Sequence, residues 1–198
     1  MFEVEKKYVV TEKQKKRLIK GAEFLGEKII VDEYFDTEDY NLTLNDMWLR
    51  CRNGTFEIKL PMDKNGKGFA NRYQEVEGED KIRQIFAINP EKSFREDIRS
   101  FGYETFLRCS TERREYKKGK FKIIFDEADF GDFKFSISEI ELMVENAGEI
   151  QKASEEIFEF SRKQGLVNKN NQGKIIEYLR AKKPKHFKAL VERGVVVE

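Results

Sequence analysis

Charged residues in this chain recur at alternate positions, and they recur in pairs of one sign: Glu3 with Glu5, Arg50 with Arg52, Glu139 with Glu141. In a β-strand, residues two apart share a face. Each pair therefore holds like charges roughly 7 Å apart, an arrangement wasteful on a watery surface and useful around a polyvalent ligand. An ordinary half-solvated sheet also alternates, but with a looser mixture of polar residues. The same parity gathers the acids Glu57, Glu75 and Asp126 with the bases Lys7, Lys59, Arg113 and Lys122, and sets Trp48 beside Arg50 and Arg52. Clustered carboxylates without histidine suit a hard cation, Mg²⁺ or Mn²⁺. Clustered Arg and Lys suit phosphate oxygens, Arg bidentately. Both together point to a metal-bound polyphosphate.

The elements that must position these residues read as strands over 2–9, 27–35, 45–52, 55–61, 69–77, 104–117, 120–130 and 134–144. Opposite the charges, Leu49 and Cys51, Phe56 and Ile58, Ile123 and Phe125, and Ile140 and Leu142 form apolar faces. Asn53-Gly54 is a strong hairpin signal, Lys118-Gly119 a weaker one, and 63–68 reads as a hairpin loop. Helices are expected over 12–25, capped by Thr11, and over 80–87, 91–100, 149–164, 173–181 and 184–192. His186 reads as a solvated residue of the last helix. Many strands with interspersed helices mean α+β. The economical arrangement is an eight-stranded, closed or nearly closed antiparallel barrel, its charged face lining a lumen and helices packed outside. The 198 residues suit one domain.

Composition removes other functions. With 38 Lys+Arg against 37 Asp+Glu there is no basic excess for nucleic acid. One His disfavours a histidine zinc site or a Ser-His-Asp triad. Cys51 and Cys109 form no disulfide framework, which makes a reducing cytoplasm the expectation. No run approaches the ~20 apolar residues of a membrane span, and the first residues, MFEVEKKY, carry no apolar signal core.

The residues carrying this reasoning also form an ordered signature. Glu3-Val4-Glu5-Lys6-Lys7 has the form ExExK. It is followed by Trp48-Leu49-Arg50-Cys51-Arg52, Phe56-Glu57-Ile58-Lys59-Leu60-Pro61, Tyr73-Gln74-Glu75, Thr111-Glu112-Arg113, Asp126-Glu127-Ala128-Asp129-Phe130-Gly131, Glu139-Ile140-Glu141 and Lys174-Ile175-Ile176-Glu177-Tyr178-Leu179. The set spans nearly the whole chain and resembles the CYTH superfamily, the triphosphate tunnel metalloenzymes. Tyr34-Phe35-Asp36-Thr37, the Trp before the Arg pair and Ala-Asp-Phe-Gly make it most similar to the thiamine triphosphatase branch.

That resemblance implies a hydrolase converting thiamine triphosphate to thiamine diphosphate and phosphate, with Mg²⁺ or Mn²⁺ as cofactor. It implies metal ligation by Glu3, Glu5, Glu139 and Glu141. Triphosphate binding falls to Lys7, Arg50, Arg52, Lys59, Arg113 and Lys174, and stacking on the thiazolium to Trp48. The branch tends to carry Asp-x-Asp where this chain has Ile124 and Asp126, so Asp126 is the expected remaining ligand. Lys122 faces the same side by parity. Lys59 or Lys7 beside Tyr34 is the candidate for activating water. The expected partner is a small-molecule triphosphate, for a monomer without nucleic acid or membrane. The alternatives are an inorganic tripolyphosphatase on the same fold, and a non-catalytic barrel that binds polyphosphate or nucleotide.

Overall fold

The structure is a computed structural model describing residues 2–61, 73–167 and 171–197. Eight strands form one antiparallel sheet: β1 (Phe2–Tyr8), β2 (Glu23–Asp36), β3 (Trp48–Arg52), β4 (Thr55–Pro61), β5 (Tyr73–Glu77), β6 (Glu104–Lys118), β7 (Phe121–Asp129) and β8 (Lys134–Val144). Among the described residues the helices are α1 (Glu12–Ile19), α2 (Glu79–Phe86), α3 (Phe94–Ser100), α4 (Ile150–Lys163), α5 (Lys174–Lys182) and α6 (Pro184–Arg193). The expected loop at 63–68 lies outside the described residues, and the expected strand over 69–77 is described from Tyr73. No helix among the described residues is long and apolar enough to cross a membrane.

The strand order is β1-β8-β7-β6-β2-β3-β4-β5, so β1 and β5 are its ends. This corrects the expected closed barrel: among the described residues no ladder joins those two strands. Alternation determines which side chains share a face; it does not determine whether edges pair. Both edge strands carry glutamates, Glu3 and Glu5 on one, Glu75 and Glu77 on the other. Charge on an edge strand opposes pairing.

The chain divides into two compact units, Met1–Ile29 with Thr111–Glu177, and Ile30–Ser110 with Tyr178–Glu198. In the first unit the apolar parity becomes core: Val4 and Tyr8 of β1, Ile123 and Phe125 of β7, and Ile140 and Leu142 of β8 pack with Leu18 of α1 and Ile150, Ala153 and Ile157 of α4. Thr11 caps α1 in a reciprocal capping box with Gln14. The helix stops six residues short of the expected end, at Ile19 instead of Leu25. Gly21 follows in the left-handed region, φ 71°, where a helix ends, and Phe24 then packs on Tyr116 with ring centroids 5.1 Å apart.

In the second unit Phe35, Leu49, Cys51, Phe56 and Ile58 pack against Ile82 of α2 and Phe94 and Ile98 of α3. Cys51 and Cys109 are both buried. Asn53 and Gly54 both take positive φ, 47° and 90°, as a two-residue hairpin matched to strand twist requires. The turn sets Arg50 opposite Glu57 and Trp48 opposite Lys59. The strand expected from residue 45 begins only at Trp48, because Thr43–Asn45 forms a 3-10 turn closed by Asp46 in the left-handed conformation. His186 is not solvated. It is buried, stacked on Tyr40 at 3.8 Å, and its Nε2 lies 2.7 Å from the Thr43 hydroxyl, itself 2.7 Å from Asp36. Burial pushes the imidazole down to about 4. The many lysines around it in sequence hid the one helix face that turns inward.

Candidate functional site

A solvated charged face would leave its charges in water. Here Asp126 is 1% exposed, Glu141 4%, Arg50 5% and Asp32 0%. Burying charges this far is costly unless each finds a partner or a ligand.

In the first unit the ladders set Glu5 opposite Glu141, and Glu141 opposite Lys122; Lys7 lies opposite Glu139, and Glu139 opposite Ile124. One carboxylate oxygen from each of Glu3, Glu5 and Glu141 falls within 4.8 Å of the others. Burial, and then the neighbouring charge of Glu3, push the Glu141 carboxyl up to about 7, with Glu139 and Glu5 adding to the shift and Lys122 opposing it. Carboxylates that resist sharing one place, all offering oxygen, fit a hard divalent cation. These three are the residues that would hold it.

The remaining acids of the sequence-derived metal set stand elsewhere. Arg113 grips Asp126 through two bonds of 2.7 Å and reaches Glu139 at 3.4 Å. Lys174 donates to Thr111 at 2.7 Å and lies 3.4 Å from Asp126. Burial works to raise the Asp126 carboxyl, but Arg113 and Lys174 overcome it and hold it below its ordinary range. A carboxylate so occupied orients bases. Lys7 bonds Glu5 and lies 3.4 Å from Glu139; burial disfavours its charge, yet the two glutamates hold its pKa above the ordinary value. Lys122 lies 3.5 Å from Glu141 and 3.4 Å from Glu115.

In the second unit each base has its own acid. Arg50 bonds Glu57 through Nε at 2.7 Å, with a second nitrogen at 2.6 Å. Arg52 makes a fork to Asp32 at 2.8 and 3.0 Å. Lys59 meets Glu75 at 2.5 Å. Tyr34 lies opposite Arg50 in the β2–β3 ladder. Burial pushes its phenol up to about 12 against the pull of Arg50, so at neutral pH it is a hydroxyl that can donate a hydrogen bond. Trp48 is half-buried and donates from Nε1 to Asp46 at 2.9 Å.

Reading the sequence missed Asp32, Thr111, Glu115, Asp46 and Tyr73. Asp32 left a signal: it shares parity with Tyr34, between the apolar Ile30 and Val31 and the partly buried Glu33, and a buried acid needs a base. Thr111 and Asp46 left weaker ones: Thr111 opens the Thr111-Glu112-Arg113 segment, and Asp46 shares parity with Trp48, whose indole it accepts.

Residues 1–172 match the CYTH domain. The chain is 24% identical to the thiamine-triphosphatase of Macaca fascicularis over 97% of this chain and 90% of that protein. Among solved structures, a Pyrococcus horikoshii OT3 protein superposes with a TM-score of 0.66 at 22% identity, covering 91% of this chain and 100% of that one. A Hippeastrum protein with a dominant triphosphatase activity gives 0.58 at 14% identity, over 90% and 94% of the two chains.

Proposed function

Because the chain belongs to the CYTH domain family, we propose that it hydrolyses the terminal phosphoryl group of thiamine triphosphate, acting as a single-domain monomer in the reducing cytoplasm. Family membership and the thiamine-triphosphatase relative support a triphosphate hydrolase in general; thiamine as the organic part is this reading's finer step. The observation that carries it is the convergence of Glu3, Glu5 and Glu141 within 4.8 Å on a face that also presents Lys7, Arg113 and Lys122.

Glu3, Glu5 and Glu141 hold the cation. Mg²⁺ or Mn²⁺, when bound, supplies charge neutralisation for the phosphoryl oxygens and orientation for the attacking water. The protein's own residues do the rest by position and charge, which is most of what phosphoryl transfer requires. Arg50, Arg52, Lys59, Arg113, Lys122 and Lys174 bind the phosphate oxygens. Glu57, Asp32, Glu75 and Asp126 hold five of those bases in fixed geometry, Asp126 meeting both Arg113 and Lys174. Lys7, kept charged by its glutamates, stabilises developing negative charge, and Tyr34 donates its hydroxyl proton in a hydrogen bond. Trp48 stacks on the thiazolium.

The test is phosphate release from thiamine triphosphate, tripolyphosphate and ATP, each with Mg²⁺, Mn²⁺ or a chelator. Thiamine triphosphate should lead with metal and all activity should stop in the chelator. A clear preference for tripolyphosphate would favour the inorganic substrate. Full turnover in chelator would defeat the metal assignment, and binding without turnover would make the protein a receptor.

A further inference from the structure

Asp46 takes no part in the phosphate or metal chemistry described above. It closes the Thr43–Asn45 turn in the left-handed region, φ 57°, a conformation Asp tolerates better than most residues. From there a single oxygen, Oδ1, accepts the Trp48 indole N–H at 2.9 Å and the Tyr73 hydroxyl at 2.8 Å. Trp48 lies opposite Lys59, Lys59 lies opposite Glu75, and the Lys59 ammonium is 6.0 Å from the Tyr73 ring centroid. One carboxylate thus holds two aromatic side chains on the row that carries a phosphate-binding lysine.

We propose that Asp46 is the positioning residue that fixes Trp48 and Tyr73 as a receptor for a heteroaromatic cation joined to the triphosphate. The proposal rests on the substrate reading above and adds the residues that would enforce it. Aromatic faces attract a cation through the ring quadrupole, and a carboxylate that accepts from both side chains adds a formal negative charge at their edges. For tripolyphosphate the same carboxylate only repels. Asp46 would therefore favour the cationic substrate and disfavour the purely anionic one, the two halves of specificity.

Trp48 is the single tryptophan of the chain, so its emission reports the ring directly. Asp46→Asn keeps an oxygen acceptor without the charge; Asp46→Ala removes both. In Asp46→Ala, acrylamide should quench Trp48 more readily and its anisotropy should fall, while Asp46→Asn stays close to the parent. Both variants should lower kcat/KM for thiamine triphosphate relative to tripolyphosphate by about tenfold, chiefly through KM. Thiamine triphosphate in chelator should quench the parent's Trp48, and tripolyphosphate should not. Tyr73→Phe offers a milder variant should Asp46→Ala fail to fold, with the same sign expected at smaller size. Unchanged acrylamide quenching in Asp46→Ala, or equal losses on both substrates, overturns the proposal, as does an unquenched parent. Quenching without hydrolysis overturns the hydrolase reading alone.

Discussion

Both compact units match bases to carboxylates, Arg113 to Asp126 in the first, but they differ in what stands beside the matched pairs. In the second, three bases of the charged face are matched to carboxylates: Arg50 to Glu57, Arg52 to Asp32, Lys59 to Glu75. In the first, one carboxylate oxygen from each of three glutamates crowds within 4.8 Å of the others, and burial, with the charge of Glu3 next, makes Glu141 a weaker acid. Paired charges are stable before any ligand arrives, and the ligand then finds them already oriented. Crowded like charges remain uncomfortable even with Lys7 on Glu5 and Lys122 beside Glu141, and a divalent cation would relieve them. The first arrangement stores geometry; the second creates a demand.

The sharpest way to break this contrast is to remove a base from the matched set. Arg52→Ala leaves Asp32, which has no exposed surface, as an unpaired buried charge, at a cost of about 3–5 kcal/mol in folding. Denaturant unfolding should show it, and Arg52→Lys should restore part. A cost under about 1 kcal/mol would mean that water or another group serves Asp32.

In the crowded set the expected effect on stability reverses. Glu141→Gln should leave the metal-free protein as stable as the parent or more so, while cutting metal-dependent turnover on the order of a hundredfold. A loss of metal-free stability would show that the cluster holds the fold together. Next comes pH. Glu141 has a folded pKa of about 7, raised from 4.5, so the folded state binds more protons there, and the metal-free protein gains stability as pH falls from about 7 towards 4.5. His186 has a folded pKa of about 4, lowered from 6.5, so its contribution is complete above 6.5 and is lost as pH falls towards 4. Each shift corresponds to a few kcal/mol at most, about 3. His186 is the only histidine, and its NMR signals should show no titration between about pH 5.5 and 8; a midpoint near 6.5 would contradict its burial. The smallest effect belongs to Lys59→Met. Its pair with Glu75 is partly exposed, so stability should change by less than about 1 kcal/mol, while KM for triphosphate rises.

Faces were legible in the sequence; closure and depth were not. Strict alternation from Thr55 to Pro61 placed that strand to the residue, since period 2 has no other structural meaning; the strand from Lys134 to Val144 is placed as well, although its apolar parity switches across Ser138-Glu139. The helix after Thr11 ran too far because the apolar stripe of Leu18, Ala22 and Leu25 outweighed Gly21, whose left-handed backbone ends it. Glu3, Glu5 and Glu141 came together as parity implied. Asp126 did not join them, because its grip by Arg113 depends on the pairing of two strands that a one-dimensional pattern does not order. His186 needed the third dimension as well: only the loop carrying Tyr40 and Thr43 explains it.

The matched pairs also govern how a substrate arrives. A lone arginine casts its field across a Debye length, about 8 Å in physiological salt, whereas an arginine locked to a carboxylate presents a dipole whose reach is far shorter. The chain's net charge of +1 adds almost no long-range pull. Encounter with a polyanion is therefore governed by ordinary diffusion rather than by steering, and the association rate should be nearly indifferent to ionic strength. Selectivity is exercised at contact, after the molecule has already collided, so highly charged bystanders in a crowded cell are not drawn in and do not queue at the bases.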